Sequence, residues 1–166
     1  MLKSEANPAD VATIDSIITA VYDGISGPAG KKRDWDRERS LYIPGARLIP
    51  TAMKAGTEKT DLAPHILDIE GFIARVGPFF EESGFYEKEI ARRTEQFGHM
   101  AHVWSTYESR HNEDDPEPFM RAINSVQLFN DGRRWWIVSI YWQQENARAP
   151  IPEKYLPGAD GASPQQ

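Results

Sequence analysis

The residues flanking Gly98-His99 form the densest set of side chains able to do chemistry. The stretches 85–97 and 100–111 read as extended runs, and a Gly-His pair between them suits a two-residue type II′ hairpin. Pairing outward from that turn puts Glu95 opposite His102, Arg93 opposite Trp104, Ala91 opposite Thr106, Glu89 opposite Glu108 and Glu87 opposite Arg110 on one face. Thr94 with Val103, Arg92 with Ser105 and Ile90 with Tyr107 fall on the other. Facing carboxylates such as Glu89 and Glu108 repel unless Arg93 or Arg110 intervenes, or unless one keeps its proton in a desolvated site. A Glu108 of raised pKa would act as general acid or base, which makes it the candidate catalytic residue ahead of Tyr107 and His102. Arg93, His102, Trp104 and Arg110 share its face and would line a pocket. The competing reading of this pattern is a ladder of solvated charge pairs.

Several other chemistries lack their residues. The chain has no cysteine, so disulfides, thiolate nucleophiles and cysteine-held zinc are excluded. His99 and His102 fall on opposite faces of a strand, His65 and His111 stand alone, and there is no HExxH. The acidic run 112–117 lacks the ligand alternation and central glycine of a calcium loop, and reads as a solvated hairpin loop. GPAGKK at 27–32 fails as a phosphate loop, because Ile25 and Lys32 stand where Gly and Ser or Thr are required. GxSxG and GxGxxG are missing. No metal and no cofactor are expected.

Composition narrows the partners. With 166 residues the chain is long enough for one domain with a sizeable core, supplied by 7 Phe, 6 Tyr and 5 Trp. A net charge of -6 disfavours nucleic acid, and Lys31, Lys32 and Arg33 read as a solvated loop. The N-terminus shows no apolar signal region, and no apolar run approaches the roughly 18 residues of a membrane helix, so the cytoplasm is the expected location.

The strands need a scaffold. Asn7-Pro8 starts a helix whose Val11, Ile14, Ile18, Val21, Tyr22 and Ile25 recur at helical spacing, ending near Ser26 and Gly27. Asp34 caps a shorter helix that carries Trp35 and Leu41 inward until Pro44 and Gly45, after which 46–50 is extended. A loop and short strand span 62–67. Asp68 caps a third helix, with Ile69, Phe72, Ile73, Val76 and Phe80 in one stripe and Pro78 kinking or shortening its end. Four strands follow Gly84, at 85–97, 100–111, 119–130 and 133–145. Helices first and strands afterwards imply an α+β fold.

Asp131-Gly132 predicts a two-residue type I′ hairpin. Gln127, Ser125, Ile123 and Arg121 then pair with Trp136, Val138, Ile140 and Trp142 on one face. Leu128, Val126, Asn124 and Ala122 pair with Trp135, Ile137, Ser139 and Tyr141 on the other. Both faces are largely apolar, and three helices cover only one. A second copy would cover the other, giving a homodimer through Val126, Leu128, Trp135, Ile137 and Tyr141. The domain thus spans 1–145. Residues 146–166, with four Pro and two Gly, form an arm or a disordered tail.

This order of elements, with FGHMAHVWSTYESR at 97–110 and RAINSVQLFNDGRRWWIVSIYWQ at 121–143, resembles a bacterial branch of the nuclear transport factor 2-like superfamily across about residues 8–145. The resemblance implies a cone-shaped, strongly curved antiparallel sheet wrapped around three N-terminal helices, often holding a small apolar ligand at its open end. Trp35 and Asp36 join the pocket candidates, because the second helix in that superfamily lies near the cavity mouth. Its members include ketosteroid isomerase, scytalone dehydratase, SnoaL-type polyketide cyclases, dioxygenase small subunits and plain assembly modules, and none of their catalytic motifs matches this chain residue by residue. The function expected is binding of a small molecule in an amphipathic pocket. Cofactor-independent isomerisation or dehydration, or service as a dimeric assembly module, are the alternatives.

Overall fold

The computed structural model describes residues 5–51 and 65–159. Asn7 caps a single turn, α1 (Pro8–Val11), and a new helix, α2 (Ile14–Ile25), then begins. The single helix expected from Asn7 is therefore two. Thr13 causes the break: it is extended, and its hydroxyl accepts from the Ser16 amide while the Ser16 hydroxyl accepts from the Thr13 amide, both at 3.0 Å. This reciprocal box satisfies two orphan donors at the start of α2. Asp34 caps α3 (Trp35–Ser40) through the Arg37 amide, and Asp68 caps α4 (Ile69–Ser83) through the Gly71 amide. Pro78 lies within α4, which continues past it to Ser83.

The strands are β1 (Tyr42–Pro50), β2 (Tyr86–Phe97), β3 (Met100–Arg110), β4 (Met120–Asn130) and β5 (Trp135–Gln144), in the order β1-β5-β4-β3-β2. β2 to β5 pair antiparallel. β1 runs parallel to β5, which makes the sheet mixed, and it takes in Pro44 and Gly45 at an irregularity between Tyr42 and Arg47. Of the expected short strand at 62–67, residues 62–64 lie outside the described residues, and Leu67 bridges Leu48.

Two registers differ from expectation, and both matter for the site. From Phe97/Met100 to Ala91/Thr106 the first hairpin pairs as expected. A bulge at Ile90 then shifts the pairing, so Glu89 faces Tyr107, Lys88 faces Glu108, Glu87 faces Ser109 and Tyr86 faces Arg110. Glu87 and Glu89 thereby turn onto the inner face with Arg92 and Ser105. In the second hairpin the Asp131 carboxylate accepts from the amides of Arg133 and Arg134, widening the loop so that Asn130 pairs with Trp135. A further shift leaves Val126 opposite Ile140 and Ser125 opposite Tyr141.

The inner face packs on the helices. Val126, Leu128, Trp135 and Ile137, expected at a dimer face, belong instead to one buried core with Ile17, Ile18 and Val21 of α2 and Phe72 of α4. Each such side chain contributes about 1.5–3 kcal/mol by leaving water, so the face that meets the helices is the one they occupy. Tyr141 alone of the five lies exposed on the outer face.

Arg33 is no part of a solvated loop. Its buried guanidinium donates to the carbonyls of Ile25, Gly27, Pro28, Lys31 and Phe80, pinning the α2–α3 connection to the end of α4. Gly27 is required beside it, because a Cβ there would lie 2.9 Å from the guanidinium.

Residues 146–159 form an arm that crosses the outer face of its own sheet. Asn146 turns the chain, Ile151 is buried and donates its amide to Glu145, and a 3-10 turn (Glu153–Tyr155) ends the crossing. The Lys154 carbonyl accepts from Arg93 at 2.9 Å and the Tyr155 carbonyl from Thr106 at 2.7 Å, while the Tyr155 ring packs 5.3 Å from Trp104. The arm thus supplies part of the cover that the sequence reading assigned to a second copy. No helix among the described residues is long and apolar enough to cross a membrane.

Candidate functional site

The inner face carries more buried polar groups than a plain core requires, and they divide into two halves of different character. In the first half every partner is supplied. Arg92 binds both oxygens of Glu89, through Nε at 3.0 Å and through Nη2 at 2.6 Å, and also pairs with Asp15 from α2. Ser105 donates to the same Glu89 carboxylate, so its single proton is spent, and Tyr22 must be the donor in the 2.7 Å bond between their hydroxyls. Asn124 donates to Tyr22 at 3.1 Å. Desolvation, with the charges of Glu89 and Glu87, pushes the Tyr22 pKa well up and keeps it a donor. This half is a closed, satisfied network, suited to fixing α2 on the sheet.

The second half is not satisfied. Glu38 projects from α3 on the same stripe as Trp35 and Leu41, is fully buried, and accepts from the Tyr42 hydroxyl at 3.1 Å through one oxygen. Among the described residues no group reaches the other, Oε2. Burial pushes the Glu38 pKa up to about 8, against partial relief from Tyr42 and Arg37. The same stripe explains Gly24 in the middle of α2: a Cβ there would run into Glu38 Oε2. Glu87, brought inward by the bulge at Ile90, also rises to about 8, through burial first and the charge of Glu38 second. The Ser109 hydroxyl beside it lowers that value a little without reaching hydrogen-bond geometry, and is itself unpartnered. Tyr107 lies near Glu87, its pKa raised by burial and then by that carboxyl.

Glu87 is only partly buried, and it opens on a cavity of about 490 Å³ along the free edge of β2. Ser26, Asp23, Tyr86, Ile90, Glu108 and Arg110 share its walls. The arrangement offers a carboxyl whose pKa is pushed upward, reachable from a cavity, with a second buried carboxyl that helps raise it. Such a group donates a hydrogen bond or a proton where an ordinary glutamate would only accept.

The sequence-derived candidates separate accordingly. Glu108 and Arg110 do line this cavity, but as an ion pair at 3.0 Å on the side away from the core, with Lys88 and not Glu89 opposite Glu108. Arg93, His102 and Trp104 lie on the outer face, occupied by the arm and by a 3.0 Å bond from His102 to Ser125. Trp35 is a core residue against Gly77, and Asp36 is exposed and paired with Arg39. Glu38, Tyr42 and Ser109 were missed. The signal for Glu38 was present as an acid on the apolar stripe of its helix, three residues from both Trp35 and Leu41.

No family model matches the sequence, and no curated protein matches it significantly. Solved structures do. A cystatin-like-fold protein of unknown function from Nostoc punctiforme superposes with a TM-score of 0.57 at 12% identity, covering 86% of this chain and 96% of the other. An NTF2-like protein of unknown function from Silicibacter pomeroyi gives 0.56 at 12% identity, covering 81% and 94%. A protein provisionally named a ketosteroid isomerase, from Parabacteroides distasonis, gives 0.55 at 10% identity, covering 89% and 99%. At these identities the likeness speaks for architecture alone, and the mixed five-stranded sheet with its packed helices is an NTF2-like, cystatin-like α+β fold.

Proposed function

We propose that this chain is a dimeric small-molecule-binding protein whose ligand sits in the cavity beside β2 and accepts a hydrogen bond from the protonated Glu87. The observation that carries the reading is a carboxyl of pKa about 8 at a cavity wall. Asp23, Glu108, Glu113, Asp114 and Asp115 outnumber Lys88 and Arg110 in the cavity walls, so a neutral carbonyl compound suits the site better than an anion. Affinity for such a ligand falls as pH rises through about 8, because the ionised Glu87 no longer donates. Glu87→Gln donates at every pH, so the affinity should become flat between pH 6 and 9 in calorimetric titrations with a carbonyl hit from a thermal-shift screen. Equal pH dependence in both proteins would dismiss the assignment.

Acid-base isomerisation or dehydration of the same ligand class is the second reading. It is favoured by Glu38, which makes the proton on Glu87 sensitive to a second carboxyl.

The dimer is supported by a row of side chains on the outer face that the arm leaves bare. Phe97, Met100 and Phe129 are exposed cross-strand neighbours across three strands, Phe97 83% and Met100 62% exposed, and Trp136 continues the row beneath the Arg134 guanidinium. So broad an apolar row suits a twin subunit. Light scattering at micromolar concentration should give twice the chain mass, and Phe97→Asp with Met100→Asp should halve it. A wild-type monomer would remove this part of the reading.

A further inference from the structure

In the cavity beside β2 the head of Glu87 is free while its backbone is held. Neither carboxyl oxygen makes a hydrogen bond or an ion pair with a described residue, and neither is sealed off as the orphan atoms of Glu38 and Ser109 are. The Glu87 amide donates to Ser26 Oγ at 3.0 Å, and that hydroxyl donates to the Tyr22 carbonyl at 2.7 Å, which ties this point of β2 to the end of α2. An open polar head on a fixed backbone is the arrangement a ligand contact needs.

The neighbouring charges do not claim that head. On its inner side Glu87 is within electrostatic reach of Glu38 from α3, Tyr22 from α2, Tyr42 from β1 and Tyr107 from β3, none of them a cation. The two cations of the cavity walls are turned elsewhere: Arg110 binds Glu108 at 3.0 Å and the Asp115 carbonyl at 2.9 Å, and Lys88 stands opposite Glu108 in the strand pair. Without a cation to hold it ionised, the carboxyl presents an O–H and a C=O on one edge, a donor beside an acceptor. A ketone answers only the donor. A cis-amide answers both: its C=O accepts from the O–H and its N–H donates to the other oxygen, closing a planar ring of two hydrogen bonds.

We infer that the Glu87 cavity takes a cis-amide, of which a lactam is the simplest cyclic form, with its carbonyl and its N–H on the two oxygens of Glu87. This rests on the reading of Glu87 as a donor and narrows its ligand from carbonyl compounds at large to one kind. The volume of about 490 Å³ is that of a ligand site, so the amide is the head of a larger molecule whose apolar part lies against Ile90 and Tyr86. An amide whose N–H is trans to its C=O, as in an ordinary peptide, holds the two groups on opposite sides and cannot close the ring.

The test uses the full chain with carbon-13 in its glutamate carboxyls, titrated at pH 6 with δ-valerolactam, its N-methyl derivative and cyclohexanone, matched rings of which only the first has an N–H. The Glu87 signal is identified by its loss in Glu87→Gln. The lactam is expected to move that signal saturably and to bind about tenfold more tightly than either of the others. Glu87→Gln keeps a donor and an acceptor on one edge and should keep the preference, whereas Glu87→Met has neither and should bind all three alike. Equal affinities in the wild type, or a Glu87 signal that the lactam leaves still, would overturn the cis-amide while leaving Glu87 free to serve plain carbonyls. Benzamidine, a cation of the same two-pronged shape, tests the charge: if it binds more tightly than the lactam at pH 6, Glu87 is a carboxylate there, and the donor reading falls together with the cis-amide. Should Glu87→Met fail to fold, the wild-type comparison of the three rings still decides.

Discussion

Replacing Glu89 with Ala is expected to lower the unfolding free energy by about 3–5 kcal/mol, the range for removing one partner of a buried ion pair. Arg92 and Glu89 have only 5% and 4% of their side chains exposed, so water cannot take over the guanidinium when the carboxylate is gone. Asp15 remains bound to Arg92 but is itself 85% exposed, and supports it from one side only. The loss also propagates. Ser105 keeps its proton with nowhere to send it, and Tyr22 and Asn124 must reverse or abandon their bonds. Urea denaturation measures the effect. The double variant Glu89→Leu with Arg92→Met should be less damaged than Glu89→Ala alone, because it leaves no unpaired buried charge. A cost below about 1 kcal/mol for Glu89→Ala would place the pair among solvent-screened surface bridges and would refute the closed network.

That prediction was not available from the sequence, and the reason is one residue wide. The turn at Gly98-His99 fixed the pairing through Ala91/Thr106, because a two-residue loop leaves little freedom of register. The bulge at Ile90 has no glycine or proline to announce it, yet it sends Glu87 and Glu89 from the face of Arg93 to the face of Arg92. Every carboxylate beyond it was therefore read onto the wrong side. At Asp131 the error is of another kind, since the Asp-Gly signal for a turn was right while the aspartate's own bonds to two amides lengthened the loop. The caps Asp34 and Asp68 were legible because a side chain bonding three residues ahead is a local event. Thr13 was passed over, its box closed by Ser16 instead of the more familiar glutamate. The arm shows the limit of composition: prolines and glycines left an arm and a disordered tail both open, and it is Ile151 and Tyr155 that anchor residues 146–159 to the sheet.

The pH dependence of stability gives the sharpest view of the unsatisfied half of the site. Glu38 titrates near 4.5 when unfolded and near 8 when folded, so between those values the folded chain keeps a proton that the unfolded chain has lost. Its contribution is fully present below about pH 4.5 and is lost as pH rises through 8, at about 1.4 kcal/mol per pH unit. Glu87 acts in the same window and direction. Asp10, Glu70 and Glu145, with lowered values, act the opposite way, but their contribution fades only as pH falls below the ordinary carboxylate range. Stability should therefore decline from pH 5 to pH 8, opposite to the rise that paired surface carboxylates alone would give. Glu38→Gln is neutral in both states, so it removes the Glu38 slope and, with that charge gone, lowers the Glu87 pKa as well; the difference between variant and wild type should move in the variant's favour as pH rises from 5 to 8. Urea midpoints at pH 5, 6, 7 and 8 measure it, and parallel curves would mean that Glu38 is ionised in the folded chain. Because the expected slope depends on the proton being held and not on the shape of the side chain, a uniform loss from the unpaired amide of glutamine would leave the test intact.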